Sequence, residues 1–448
     1  MYQAENSESS VVRSRGQRRP RSQAWHLVGR NVLLLGLTSF FTDISSEMVA
    51  TVLPLYIIFT LQLSPLQYGV IDGLYQGAAV LVRLVGGILA DRWQRYKAVA
   101  VVGYGLSAVC RLGLLFIGAS WSAVAALVML DRTGKGIRTA PRDALIALST
   151  RPDELATAFG VHRALDTAGA MIGPLVAFLL LSLAPGTFDT IFVVSFCFAL
   201  VGLGILILFV ENRSTEPAAT AELCRARHHA GHPALRCRNC RLAPPVPPGA
   251  SLRAAISLLR IPRFAALLAV GAVLSLTTLS DGFLFLNLQR QLDLAVGFFP
   301  LLYVITAFIY MLFAVPAGRL ADRVGRGRVF IAGHTLLIIV YLLLLVPGIS
   351  SLALFGSLLL LGTYYAATDG VLMALASATL PAPLRASGLA LLTTAIGLAR
   401  LCASILFGIL WTWVGAQEAL VGFAIGLLIA TLVAALVLRF VPQVSRDA

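Results

Sequence analysis

The feature that most constrains this chain is its alternation of long apolar runs with short polar turns, which begins near Asn31 and repeats almost to the C-terminus. A run of roughly 20 apolar residues matches the hydrocarbon thickness of a bilayer. Within lipid, every backbone amide must find its partner inside the chain, which leaves only helices and closed barrels. Runs this long and uniformly apolar favour helices. Composition agrees: 58% of the 448 residues are hydrophobic and 12% are charged, against about 25% charged in soluble domains. Helices are expected near 31–60, 66–90, 97–118, 121–146, 154–184 and 187–210, and again near 263–290, 296–321, 327–346, 351–380, 384–413 and 417–441. The expected fold class is an all-α integral membrane protein of twelve transmembrane helices in two pseudo-symmetric six-helix bundles.

The net charge of +14 is almost entirely arginine, with Lys97 and Lys135 as the lysines. These charges sit between apolar runs rather than in a compact basic domain, which argues against a nucleic-acid partner. They mark membrane orientation instead. The N-terminal segment 1–30, the turns at 91–97 and 319–328, the central loop 211–262 and the tail 442–448 are basic, while the alternate loops are nearly uncharged. By the positive-inside rule both termini and the central loop are cytoplasmic, in a multi-pass protein of the inner (plasma) membrane. The central loop, with its stiff Pro244-Pro245-Val246-Pro247-Pro248 stretch, separates a bundle over 31–210 from one over 263–441. No short apolar core with a small-residue cleavage site precedes the first run, so no cleaved signal peptide is expected.

The halves echo each other. Gly87, Asp91, Arg92 and Arg95 mark the turn between the second and third runs, and Gly318, Asp322, Arg323, Gly325 and Arg326 mark the turn between the eighth and ninth. Both copies read G-x-L-A-D-R followed by basic residues. On these residues the chain resembles the major facilitator superfamily, whose signature at this turn is G-x-x-x-D-R-x-G-R-R. The first copy departs from it, with Gln94 at the glycine and Tyr96 at a basic position; the second keeps Gly325 and Arg326. Gly169, Gly173 and Pro174 are similar to the fifth-helix motif of drug/proton exporters in that superfamily. The segments 41–48, 131–143 and 162–169 resemble a poorly characterised prokaryotic branch. The resemblance implies the major facilitator fold and secondary transport through a site between the two halves, and it leaves the substrate open.

Several charged residues fall inside apolar runs, where they mark functional positions by default. On the fourth run, Asp131, Lys135, Arg138 and Arg142 share an arc of about 60°, with Arg132 and Asp143 beside it. Such a stripe cannot face acyl chains; it lines a cavity or a gate, or else emerges into the cytoplasm. Asp43 and Glu47 lie four apart on the first run, and two acids in one desolvated site suit a proton carrier or a cation ligand. His162 and Asp166 share a face of the fifth run, beside Arg163, and can exchange a proton or form a structural ion pair. Asp281 and Asp369 are further intramembrane acids, each free for function or for neutralising Arg83, Arg111 or Arg400. Gly169 and Gly173 permit close helix packing and Pro174 a bend. The turn motifs are read as a gate whose arginines pair with carboxylates of the facing half.

Cys224, His228, His232, Cys237 and Cys240 in the central loop are metal-capable. Their spacing fits no standard finger and arginines flank them, so an unstructured linker is the simpler reading. No Walker loop, G-x-S-x-G or H-E-x-x-H is present, which argues against ATP drive and hydrolase chemistry. The chain is therefore read as no enzyme and as needing no cofactor. It is expected to act as a monomer in the lipid bilayer on a small-molecule substrate and on protons, the proton gradient being its energy source. Export of a small organic compound leads, ahead of organic-anion or metabolite transport, then metal-ion export, then a receptor or scaffold that no longer transports. Because the second turn copy is the better kept, Asp322→Ala is expected to impair vesicle transport at least as much as Asp91→Ala; the reverse order would make the degraded copy the working latch.

Overall fold

A computed structural model describes residues 29–77, 82, 95–116, 118, 120–150, 155–212, 258–292, 294–346, 350–380 and 385–439. Among these there is no strand. The N-terminal half contains α1 (Arg30–Leu55, running on as a π-helical turn Tyr56–Thr60), α2 (65–77), α3 (Tyr96–Gly113), α4 (Trp121–Leu148), α5 (Leu155–Leu183) and α6 (Phe188–Phe209). The C-terminal half contains α7 (Pro262–Leu276), α8 (Asp281–Leu292), α9 (Phe299–Val324), α10 (Arg326–Leu345), α11 (Ser351–Thr379), α12 (Arg385–Val414) and α13 (Ala416–Arg439). Because α7 and α8 are two parts of one span, the architecture is an all-α one of twelve spans. Among the described residues, nine spans are apolar and long enough to cross a bilayer. The described parts of α2 and α3 and the charge-rich α4 fall outside that set.

The halves repeat one packing scheme. In the first, α1 packs on α5 and α6, and α3 on α4 and α6. In the second, α7 packs on α12 and α13, and α10 on α11 and α13. The centre of the first half is α1, whose buried hydroxyls let neighbours approach. The Thr42 hydroxyl donates back to the carbonyl of Thr38 at 2.8 Å, and the Ser45 and Ser195 hydroxyls meet at 2.9 Å. On α5, a side chain at Gly169 would collide with the Phe40 carbonyl, and a Cβ at Gly173 would stand 2.7 Å from the Ile44 carbonyl. The two glycines thus bring α5 onto the backbone of α1, the small-residue packing that membrane helices use.

The seventh span differs from the continuous helix expected over 263–290. It stops at Leu276 and restarts at Asp281. The interruption exposes backbone groups that lipid cannot satisfy, and Tyr341 on α10 answers two of them. Its hydroxyl accepts from the Leu279 amide at 2.7 Å and donates to the Thr277 carbonyl at 3.3 Å. Tyr341 is fully buried, so the break is held from inside the C-terminal half.

At the turn between α9 and α10, Gly325 adopts φ +113°, a conformation that a side chain strains. Gly325→Ala is expected to lower the melting temperature of the detergent-solubilised protein, a loss of about 1–3 kcal/mol. By contrast, Gly327→Ala, where a Cβ first meets Leu438 at 3.9 Å, should be neutral. Tyr341→Phe keeps the ring but strands the break, at a cost of about 1–3 kcal/mol; an unchanged melting temperature would show that other groups hold it.

Candidate functional site

Between the halves lies a cavity of about 660 Å³, within the span of roughly 300–1,000 Å³ typical of small-ligand pockets. Glu47 and Thr51 on α1, Gln76 on α2 and Thr167 on α5 form one side. The break residues Thr278 to Asp281, Tyr303 and Tyr310 on α9, Tyr365 and Asp369 on α11, and Arg400 and Ser404 on α12 form the other. The cavity continues along Ala314 and Val315 toward the end of the bundle that holds the start of α1.

At the opposite end the halves meet. Gly69 and Gly73 of α2 face α12 so closely that a Cβ would stand 2.5 Å from the Ser404 carbonyl and 2.8 Å from that of Leu401, respectively. Tyr68 is buried, its ring edge-on to Phe283 at 4.7 Å and its hydroxyl against Gly282 of α8. On the pseudo-symmetric side α5 packs on α9, with Phe178 5.8 Å from Phe298.

Of the acids expected to be functional, Glu47, Asp281 and Asp369 line the cavity. The Tyr365 hydroxyl donates to Asp281, and Arg400 stands 3.9 Å from Asp369. Among the described residues the cavity wall thus carries three carboxyls and one guanidinium. Asp281 has Tyr365 and Asp369 has Arg400, while Glu47 has no hydrogen-bond or ion-pair partner among the described residues.

The charges of α4 lie elsewhere. The helix is continuous through Pro141, so the stripe does not emerge as a turn, and its side chains do not line the central cavity. They form a network inside the N-terminal half. Asp131 pairs with Arg111 of α3 at 3.2 Å and accepts from Arg132 Nε at 3.0 Å. Arg132 lies over the Tyr75 ring at 3.9 Å and Arg138 over Tyr104 at 4.5 Å. Arg142 pairs with Asp143 at 3.0 Å and with Asp166 of α5 at 3.7 Å. Arg163 also reaches Asp166, at 3.5 Å. Lys135 is half-buried, within electrostatic reach of Asp43 and Glu47.

The pairing expected between His162 and Asp166 is not the one made. Asp166 is shared by Arg142, Arg163 and the carboxyl of Asp43. His162 is buried, with neither ring nitrogen hydrogen-bonded among the described residues. The meeting of the Asp43 and Asp166 carboxyls, from α1 and α5, is one that spacing along a single helix could not reveal.

In the turn motif, Arg326 pairs with Asp322 at 2.9 Å and donates to the Ala374 carbonyl at 3.3 Å. Those contacts stay within the C-terminal half. Arg323 is exposed and Gly318 half-buried, and Arg95 is exposed ahead of α3. Gly87, Asp91 and Arg92, and the loop residues Cys224, His228, His232, Cys237 and Cys240, lie outside the described residues. Among the described residues no group of three or more His, Cys, Asp or Glu side chains is placed to hold a metal.

Sequence reasoning passed over α2. Its Asp72 accepts from the Ser404 hydroxyl of α12 at 2.6 Å, which joins the halves. Tyr68, Asp72 and Gln76 recur at four-residue steps on an apolar run, a polar helix face that was there to be read.

Comparison with known proteins agrees with this architecture. The sequence profile described as Major Facilitator Superfamily matches residues 35–307 and 278–447. A protein of Methanocaldococcus jannaschii named as an uncharacterized MFS-type transporter is 30% identical over 396 residues, covering 86% of this chain and 89% of its own. An uncharacterized protein of Mycobacterium tuberculosis is 37% identical over 161 residues, 36% of this chain and 38% of its own. Among solved structures, the nucleoside transporter NupG superposes with TM-score 0.70 at 15% identity, over 92% of this chain and all of that one. A bacterial homologue of the lysosomal transporter Spinster, in an inward-facing and unoccupied conformation, superposes with TM-score 0.65 at 16% identity, over 94% and 98%. With its profile matched across both halves and a relative alike over most of both lengths, the chain belongs to the Major Facilitator Superfamily, as a multi-pass membrane transporter.

Proposed function

We propose that the protein is a proton-coupled secondary transporter that exports a small organic compound by alternating access. The observation that carries this reading is the central cavity: walled by both halves, continued toward the end where α1 begins, and closed at the other end by α2 on α12 and α5 on α9. The arginine distribution puts the α1 end in the cytoplasm. The cavity then loads from inside, and rocking of the halves delivers its contents outward.

The Asp43–Asp166 carboxyl pair is the coupling site. Two carboxyls brought this close favour sharing one proton; the pair is bounded by Arg142 and sits one helical turn from Glu47 on the same helix. A change of charge at the pair is therefore felt at the cavity wall. The excess of carboxyls over guanidinium there, with Tyr303, Tyr310 and Tyr365 alongside, favours a substrate that is neutral or positively charged and amphipathic. Organic-anion transport is less favoured, because Arg132 and Arg142 of α4 are paired with Asp131, Asp143 and Asp166, Arg138 lies over the Tyr104 ring, and all three stand away from the cavity. Metal-ion export rests on the loop residues and on Asp43 with Glu47, and among the described residues no group of three or more His, Cys, Asp or Glu side chains is placed to hold a metal.

The test is transport into reconstituted vesicles with a panel of amphipathic amines and neutral organic compounds. Asp43→Asn and Asp166→Asn are each expected to abolish movement driven by a pH gradient while leaving substrate counterflow intact. Unchanged gradient dependence in both would remove the coupling assignment, and a panel that neither moves nor responds to the gradient would favour a receptor or scaffold.

A further inference from the structure

The closed end of the cavity carries a carboxyl that the coupling pair does not use. Asp72 lies on α2 between Tyr68, which is buried in the seam, and Gln76, which lines the cavity. It is half-buried, and its Oδ2 accepts a 2.6 Å hydrogen bond from Ser404, which is itself 3% exposed and belongs to the other half. The ionisable groups that face it are Tyr68 on its own helix, Asp281 on α8 and Tyr303 on α9. On α12 it meets Ser404, with Arg400 one turn away toward Asp369. On α1, Glu47 lies toward Tyr75 and Tyr303. Among the described residues Asp72 has no ion-pair partner.

This placement ties the charge of Asp72 to the state of the seam. The backbones of α2 and α12 touch at Gly69 and Gly73 on either side of it, so the halves cannot part here without breaking the Asp72–Ser404 bond and admitting water. Hydration favours the ionised carboxylate far more than the neutral acid. The open seam therefore favours the carboxylate, and the closed seam, with no cation paired to Asp72 among the described residues, favours the acid.

We infer that Asp72 is a proton-dependent latch of this seam: taking up a proton accompanies closure, and losing it accompanies opening. The assignment rests on the alternating-access reading above. It adds a second proton-sensitive position, at the end of the cavity opposite the Asp43–Asp166 pair, and Asp281 on the cavity wall is the next carboxyl inward.

Spin labels on cysteines at Phe59 and Trp413, exposed positions near the two sides of the seam, report its width by pulsed electron resonance. The protein is held in lipid nanodiscs, with its own six cysteines replaced by serine. Acidification is expected to shift the wild-type distance distribution toward the short, closed population. Asp72→Asn should remain short at every pH, and Asp72→Glu should keep the response. Ser404→Ala, which leaves the carboxyl but removes its partner, should need a lower pH to close. A wild-type distribution indifferent to pH, or a response as large in Asp72→Asn as in wild type, would overturn the latch. Because no substrate is involved, the latch can fail while gradient-driven transport survives, and a pH response lost in Asp72→Asn would stand even if the coupling pair proved wrong.

Discussion

A polar atom inside a bilayer must be answered by another polar atom of the same chain, and most of what is distinctive in this structure follows from that requirement. The seventh span can be interrupted because Tyr341 supplies a donor and an acceptor where the helix ladder stops. Arg111, Arg132 and Arg138 can be almost wholly buried because Asp131, Ser46, Tyr75 and Tyr104 meet them from neighbouring helices. Buried ion pairs of this kind add little net stability, since desolvation offsets attraction. Their effect is to fix which helices sit together, because removing one partner would strand the other.

The same requirement has been met differently in the two halves. Both keep the packing of first helix on fifth and sixth, and of third on fourth and sixth. The N-terminal half has filled its interior with paired charges on α3, α4 and α5 around an unbroken α1. The C-terminal half has few internal charges and a broken first span that presents Asp281 to the cavity. The cavity is therefore an asymmetric place, with a carboxyl from an intact helix on one side and a carboxyl at a helix start, held by Tyr365, on the other.

Much of this was legible in the sequence, because hydropathy runs are a direct consequence of lipid contact. The order of the helices, the six-plus-six division and the intramembrane position of Glu47, Asp281 and Asp369 could be read from run length and from charges in apolar surroundings. Less legible was whatever depends on contact between helices. Helical spacing put His162 with Asp166, but the structure gives Asp166 to Arg142 and Asp43, which approach from other helices. The stripe on α4 was recognisable as unable to face lipid, yet whether it met a cavity or partners depended on α3 and α5. The break at Thr277 to Ser280 follows no proline and rests on a tyrosine some sixty residues away. Asp72 was missed although its four-residue spacing from Tyr68 and Gln76 was visible; its partner Ser404 lies 332 residues away, on α12.

The glycine contact between α2 and α12 has a consequence for the entropy of the conformational cycle. Ordinary helix interfaces interlock side chains, and each chain that is immobilised gives up rotamer freedom, from nothing for glycine to about 2 kcal/mol for the longest. Where Gly69 and Gly73 lie on the backbone of Ser404 and Leu401, there is no rotamer freedom on the α2 side to lose on closing or to regain on opening. A contact surface of this kind can bring two halves together and release them with little ordering of side chains at those positions, so the balance between its open and closed forms is left to the few polar groups set into it.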